Sequence, residues 1–263
     1  APWRPIVDAD DLDRAISPVE QGGAAFPAIL KTATSGYDGK GQYRVETPDQ
    51  LEEAWKSLRK SSCVLEGFVS FAAEVSVIAA RVRDGQAVAF PPFLNHHVRH
   101  ILDSTMAPAP LGPILTAEAR DLALKIIHAL EHVGVLCVEL FLTTEGRLLV
   151  NELAPRPHNS GHLTIEAAVC DQFEQQVRAL VGLPLGHADL VSPAAMVNLL
   201  GDLWCQGEPN WNAALRVEPA ARLHLYGKFR PAPGRKMGHL TVLDSDPQRA
   251  LDRALAARRA LTS

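Results

Sequence analysis

Two glutamates and one glycine-rich loop are the residues whose spacing could do chemistry. The apolar, strand-like runs Val135–Thr143 and Arg147–Leu153 flank Glu145-Gly146. If Glu145-Gly146 is a two-residue hairpin turn, Glu139 faces Glu152 across the ladder. Like charges directly opposite one another repel, and carboxylates within apolar strands are costly unless paired. Two hard oxygen donors with Asn151 beside them suit Mg²⁺, which takes a few carboxylates together with water and phosphate oxygens. A three-residue loop with a bulge would instead pair Glu139 with Asn151, and an exposed strand face would leave both glutamates solvated. The loop is Ser35-Gly36-Tyr37-Asp38-Gly39-Lys40-Gly41-Gln42. Its glycines let backbone N–H groups turn toward a phosphate and let the loop open and close. Lys31, at the end of the preceding strand, and Lys40, in the loop, supply cations. The sequence contains neither a G-x-x-x-x-G-K-[ST] phosphate loop nor a G-x-G-x-x-G fingerprint. Taken alone, the loop also reads as a mobile hairpin turn.

Strands and helices alternate along the chain, which predicts an α+β or mixed α/β fold. Ala28–Thr32 and Tyr43–Val45 read as strands flanking the loop. A helix then begins with Thr47 as N-cap, Pro48 at the first position and Gln50 completing a capping box, and presents Leu51, Ala54, Trp55 and Leu58 on one face. Cys63–Val69 reads as a strand and connector, and Ala73–Phe90 as a hairpin turning at Asp84-Gly85. Ala117–His132 is expected to be a helix capped by Thr116, with Gly134 beyond its end. The polar loop Ala154–His162 leads into a helix reaching about Val181. Strands are expected near Ala194–Leu200, Arg222–Tyr226 and His239–Leu243, and a final helix is capped by Asp246 with Pro247 next. The domain break falls near Glu66–Val69, giving units 1–67 and 68–263. Trp204 and Trp211 read as packing residues, and Tyr226 as packing or a ligand contact. His128 and His132 read as helix-surface residues, and Arg222, Arg258 and Arg259 as solvated charge.

The 263 residues carry a net charge of −4 with no long basic run, so nucleic acid is not an expected partner. No apolar stretch is long enough for a membrane span. The four cysteines, Cys63, Cys137, Cys170 and Cys205, are scattered and form no C-x-x-C pair. They read as reduced thiols of a cytoplasmic protein rather than a disulfide or zinc framework.

The segments AILKTATSGYDGKGQYRV, VLEGFVSFAAEVSVIAAR, GVLCVELFLTTEGRLLVNELAPRPHNSGHLTIEA and YGKFRPAPGRKMGHLTV, in that order, resemble the ATP-grasp ligases of the 5-(carboxyamino)imidazole ribonucleotide synthase family. The resemblance implies an ATP-grasp fold with a small lid subdomain, ATP and Mg²⁺ as cofactors, and carboxylation of 5-aminoimidazole ribonucleotide with bicarbonate in purine synthesis. It also implies a homodimer. By motif, Lys31 would contact phosphate, with Gly36, Tyr37, Asp38, Gly39, Lys40, Gly41 and Gln42 as the lid loop. Glu66, Gly67, Phe68 and Val69 would form the adenine connector, Glu74 would bind ribose, His97 would lie near the nucleotide, and Asn151 would contact phosphate. Glu139 and Glu152 would hold the metal. Tyr37, Asp38, Arg156, His158, Asn159, Lys228 and Arg235 would line the substrate pocket, with Lys40, Arg156 and His158 in catalytic roles. Family members begin with a further amino-terminal domain that this sequence lacks, so an exposed apolar face is expected where it would pack. Ser35 replaces a usual glycine. An ATP-binding piece without turnover of its own, or a related ligase with another acceptor, are the alternative readings.

Overall fold

The computed structural model describes residues 1–17, 23–34 and 41–262. The chain divides into two compact units, residues 1–71 with 99–101, and residues 72–98 with 102–263. Among the described residues the smaller unit has a four-stranded sheet built from β1 (Trp3–Ile6), β2 (Ala28–Thr32), β3 (Gln42–Val45) and β4 (Cys63–Gly67), in the order β1-β4-β2-β3. Two helices accompany it, α1 (Ala9–Ile16) and α2 (Pro48–Ser57). Ile6, Leu12, Leu30, Leu51, Trp55 and Leu65 are buried together as its core. Thr47 caps α2 by accepting from Gln50 N–H at 3.3 Å. The Gln50 side chain accepts from Glu46 N–H at 2.7 Å, one residue upstream of the capping-box partner expected.

The larger unit is organised on a nine-stranded sheet. Its strands are β5 (Phe71–Arg81), β6 (Ala87–Ala89), β7 (Phe93–Val98), β8 (Ile101–Ala107), β9 (Gly134–Thr143), β10 (Leu148–Ala154), β11 (Ala194–Leu200), β12 (Arg222–Leu225) and β13 (Lys236–Leu243). They run β10-β9-β5-β7-β8-β11-β13-β12, with β6 paired to β5. Strand β5 is buried on both faces: Ile78 and Ala80 join one core, and Val75, Val77 and Ala79 the other. The helix α3 (Pro113–Ala129) covers the second face with Ala119, Ala123 and Ile127, at helical spacing. This helix starts earlier than the sequence suggests, because Pro113 occupies its first position behind Gly112. Thr116 does not cap it.

Both hairpins turn through three residues, not two. Val82 N–H donates to Gln86 C=O, and Thr143 N–H donates to Arg147 C=O. The glycines therefore stand at the third loop position, with φ of 98° at Gly85 and 78° at Gly146, where a left-handed residue is required. The single helix expected after residue 162 is divided. A 3-10 turn (Asn159–Leu163) and α4 (Thr164–Ala167) come first. An isolated bridge from Ala168 to Leu190 breaks the run, and α5 (Gln172–Val181) restarts on Asp171, whose side chain accepts from Phe173 and Glu174 N–H. The remaining α-helices among the described residues are α6 (Trp211–Val217) and α7 (Pro247–Arg259), the latter capped by Asp246 as expected. Arg258 is not solvated charge. It makes a two-pronged contact to Asp103 at 2.8 and 2.9 Å and reaches Asn198 C=O. No described helix is long and apolar enough to cross a membrane.

Candidate functional site

In the smaller unit, Lys31 on β2 and Glu66 on β4 are diagonal neighbours on one sheet face. The register sets Glu66 opposite Ile29, and Lys31 Nζ lies 2.7 Å from Glu66 Oε2. The connector after β4 is held by its backbone: Gly67 N–H donates to Pro2 C=O and Phe68 N–H to Pro27 C=O. These bonds occupy two connector amides that a purine could otherwise use and do not involve Val69 N–H. The Arg44 guanidinium lies 4.4 Å from the Phe68 ring centroid. Gly41 has φ of 75°, and a side chain there would meet Thr32 Oγ1 at 2.6 Å. Gln42 pairs with Lys31. Gly36, Tyr37, Asp38, Gly39 and Lys40 lie outside the described residues.

In the larger unit Glu139 and Glu152 do face one another, though not through the turn expected. The three-residue loop sets Leu148 opposite Leu142 and Val150 opposite Leu140, which by itself would pair Asn151 with Glu139. A bulge at Asn151 absorbs one residue and brings Glu152 into register with Glu139. Glu139 shares the face of Val135 and Cys137 on β9, since alternate residues point the same way. Its Oε1 lies 3.0 Å from His158 Nε2, with both side chains largely covered.

The position of His158 follows from a network that the sequence does not advertise. Gln172, fully buried at the start of α5, accepts from His158 N–H and donates to His158 C=O, both at 2.8 Å. The same amide donates to His162 Nδ1 at 3.0 Å. Gly161 permits this clamp, because a Cβ there would sit 2.5 Å from Gln172 Oε1. Ser76 donates its hydroxyl to Ser160 Oγ at 2.8 Å, and Ser160 Oγ lies 2.9 Å from His158 Nδ1. Nδ1 also accepts from Ser160 N–H, which leaves Nε2 as the protonated nitrogen that donates to Glu139.

Burial works to raise the Glu139 pKa. The hydrogen bond and charge of His158, with the charges of His97 and Lys236, outweigh it and hold the carboxyl below its usual range. Glu74 and His97, on the adjacent strands β5 and β7, form a second pair at 2.8 Å. Burial opposes charge on His97, but Glu74, aided by Glu139, leaves its pKa raised. Lys236, on β13, is thus a cation of this neighbourhood that the sequence reading passed over in favour of Arg235. The Arg235 and Lys228 side chains are exposed and turned onto backbone, to Arg230 C=O and Lys236 C=O respectively, each at 2.6 Å. Arg156, also exposed, donates to Pro157 C=O.

A second polar cluster joins the 3-10 turn to the β12–β13 ladder. His224 and His239 are paired in register and stack at 4.5 Å. Glu166 Oε1 lies 2.6 Å from His224 Nε2, Tyr226 OH lies 2.9 Å from His239 Nδ1, and His162 lies 5.2 Å from the His239 ring. Burial and neighbouring imidazoles press His162 down to about 4 and His239 lower still. Tyr226 thus has a hydrogen-bonded place in this cluster. Trp204 and Trp211 pack together and both donate to Glu208.

The donor set fits a magnesium–nucleotide complex. Two carboxylates stand opposite each other, one of them held in its charged form. Both amide atoms of Asn159 are buried with no partner among the described residues, the condition of a polar group that receives a ligand or water.

Comparison with known proteins identifies the fold and the family. The family profile of the ATP-grasp domain matches residues 1–173, and that of the phosphoribosylaminoimidazole carboxylase C-terminal domain matches residues 194–253. The N5-carboxyaminoimidazole ribonucleotide synthase of Bacillus subtilis is 43% identical over 245 residues, covering 92% of this chain and 62% of that protein. Its Brucella melitensis counterpart is 44% identical over 243 residues, covering 92% and 64%. The chain thus spans a little under two thirds of these relatives' length. The structure of the Thermus thermophilus N5-carboxyaminoimidazole ribonucleotide synthetase superposes with a TM-score of 0.85 at 39% identity, covering all of this chain and 68% of that one. An Aspergillus clavatus enzyme, solved with ADP and 5-aminoimidazole ribonucleotide, gives 0.84 at 29% identity, covering 99% and 68%. The fold is that of the ATP-grasp proteins, and the chain belongs to the N5-carboxyaminoimidazole ribonucleotide synthase family.

Proposed function

We propose that this chain is the ATP-binding and carboxylating body of an N5-carboxyaminoimidazole ribonucleotide synthase, with residues 1–67 as lid subdomain and residues 68–263 carrying the metal and substrate sites. ATP phosphorylates bicarbonate to carboxyphosphate. The amine of 5-aminoimidazole ribonucleotide then takes the carboxyl group, and ADP and phosphate leave. The observation that carries this reading is the bulge at Asn151, which sets Glu152 against Glu139, whose carboxylate lies 3.0 Å from His158.

Phosphoryl transfer asks the protein for positioning and charge neutralisation rather than covalent help. Magnesium, when bound, would neutralise the phosphate oxygens, and Glu139 and Glu152 would hold it. Lys31 would meet phosphate by exchanging its contact with Glu66, and Val69 N–H would meet the adenine edge. Glu74, oriented by His97, would accept from the ribose hydroxyls. Asn151 would contact the phosphates. His158, fixed as the Nε2–H tautomer, would orient the Glu139 carboxylate, while Asn159 and Arg156 would face bicarbonate. Lys228, Arg235 and Lys236 would bind the ribonucleotide phosphate, the first two after giving up backbone contacts. Gly36–Gln42, with Lys40, would close over the reactive carboxyphosphate and exclude water. Homodimer formation and a cytoplasmic location rest on the family resemblance.

The test is ADP formation by the purified chain with Mg-ATP and bicarbonate, with and without 5-aminoimidazole ribonucleotide. Strong stimulation by the ribonucleotide supports the ligase. Mg-ATP binding without turnover supports a nucleotide-binding piece whose acceptor site needs the remaining third of its relatives' length.

A further inference from the structure

A buried sulfur, that of Cys137, lies close to the proposed magnesium ligand Glu139. One donor atom each from Cys137, Glu139 and His158 lies within 4.8 Å of the others, the one such group among the described residues. We propose that these three side chains bind a thiophilic divalent cation of the zinc class, and that such an ion, by taking Glu139, excludes the magnesium–nucleotide complex.

Two features support a built site. Cys137 precedes Glu139 by two residues on β9, so both point to one face. The thiol is fully buried, whereas the Glu139 and His158 side chains retain 12% and 14% exposure, so the donors line a floor and an open side. Ser160 Oγ, which receives the Ser76 hydroxyl, lies 2.9 Å from His158 Nδ1. For Nε2 to bind the ion, the imidazole must give up the bond it accepts from Ser160 N–H and take the other tautomer, with Nδ1–H donated to Ser160 Oγ.

The charges and protons balance. A dication with one thiolate, one carboxylate and one neutral imidazole sums to zero, so a partly buried site gains no net charge. The imidazole proton moves from Nε2 to Nδ1, and the thiol proton passes to solvent as the metal–sulfur bond forms. Tetrahedral zinc with ligands at about 2.0–2.3 Å sets donor separations of roughly 3.4–3.7 Å. The 3.0 Å gap between Glu139 and His158 must therefore widen slightly while the sulfur draws in. Nitrogen and sulfur donors favour zinc-class ions over magnesium, for which the two-carboxylate set is suited.

The test uses Co²⁺ alone, titrated into the full, reduced, chelator-treated chain without nucleotide. A thiolate-to-cobalt charge-transfer band that saturates at one equivalent is expected. It should vanish in Cys137→Ser and persist in Cys205→Ser. A missing band, or one that survives in folded Cys137→Ser, overturns the proposal. His158→Gln leaves the core thiol in place and covers the case in which Cys137→Ser fails to fold. Its Co²⁺ affinity should drop at least about 10-fold, and an unchanged affinity overturns the proposal equally. Because nucleotide is absent, this result is independent of whether the chain forms ADP.

Discussion

The two units hold their charged groups by different means. In the smaller unit the Lys31–Glu66 contact needs only two neighbouring strands in register. In the larger unit the His158 that meets Glu139 is held by a 3-10 turn, a helix start and two serines, one of them 84 residues from the other. The first is a pair on a ladder, open enough for either partner to be drawn to a ligand. The second is a side chain locked by its surroundings, with its tautomer set by Ser160. A reaction that must place oxygen atoms around a metal within fractions of an ångström calls for the second kind. Gripping a nucleotide phosphate can use the first.

The sharpest way to break this contrast is at the opposed carboxylates. Glu139→Gln or Glu152→Gln should weaken magnesium-dependent ATP binding by more than roughly 100-fold, read by calorimetry with and without the metal. Unchanged affinity in both variants would remove the metal from this ladder. Next in size is Gln172→Ala. It leaves the His158 backbone amide and carbonyl without their buried partner and should cost about 2–4 kcal/mol of stability, measured by chemical denaturation. A loss near zero would mean that the turn holds itself.

Acid should then separate the units. The one histidine of the smaller unit, His100, is exposed, whereas His162 in the larger unit is buried enough to be held at about 4. Its folded pKa lies below the unfolded value of about 6.5, so the unfolded chain binds the extra proton. Its stabilising contribution is complete above that value and is lost as pH falls toward 4, at up to about 1.4 kcal/mol per pH unit. His239 extends the same trend to lower pH, while the raised His97 acts in the opposite sense. Hydrogen exchange should show the larger unit loosening first. The smallest effect belongs to the ladder pair. Glu66→Gln should change stability by less than about 1 kcal/mol, and a larger loss in denaturant would show that this contact is as locked as its counterpart.

What was legible in the sequence was local. Ala28–Thr32 and Ala194–Leu200 are strands because their apolar residues are short, bounded runs, and α2 and α7 start where a capping side chain precedes a proline. Motif resemblance supplied the family, since the chain carries its segments in order. Glu139 was set opposite Glu152 by assuming a two-residue turn. The loop has three residues, and the extra residue at Asn151 restores the pairing. Local propensity does not reveal that compensation, because a bulge is decided by what packs on both faces of a strand. Gln172, Ser76, Ser160 and Cys137 carry no motif of their own. Their meaning comes from partners that are, in the case of Ser76 and Ser160, 84 residues away, and Arg258 reads as surface charge until Asp103 arrives from 155 residues upstream. Sequence alone therefore determined the elements, the family and the chemistry on offer. Tertiary structure decided which glutamate is oriented, by which imidazole and in which tautomer, because those depend on distances that only the packed chain defines.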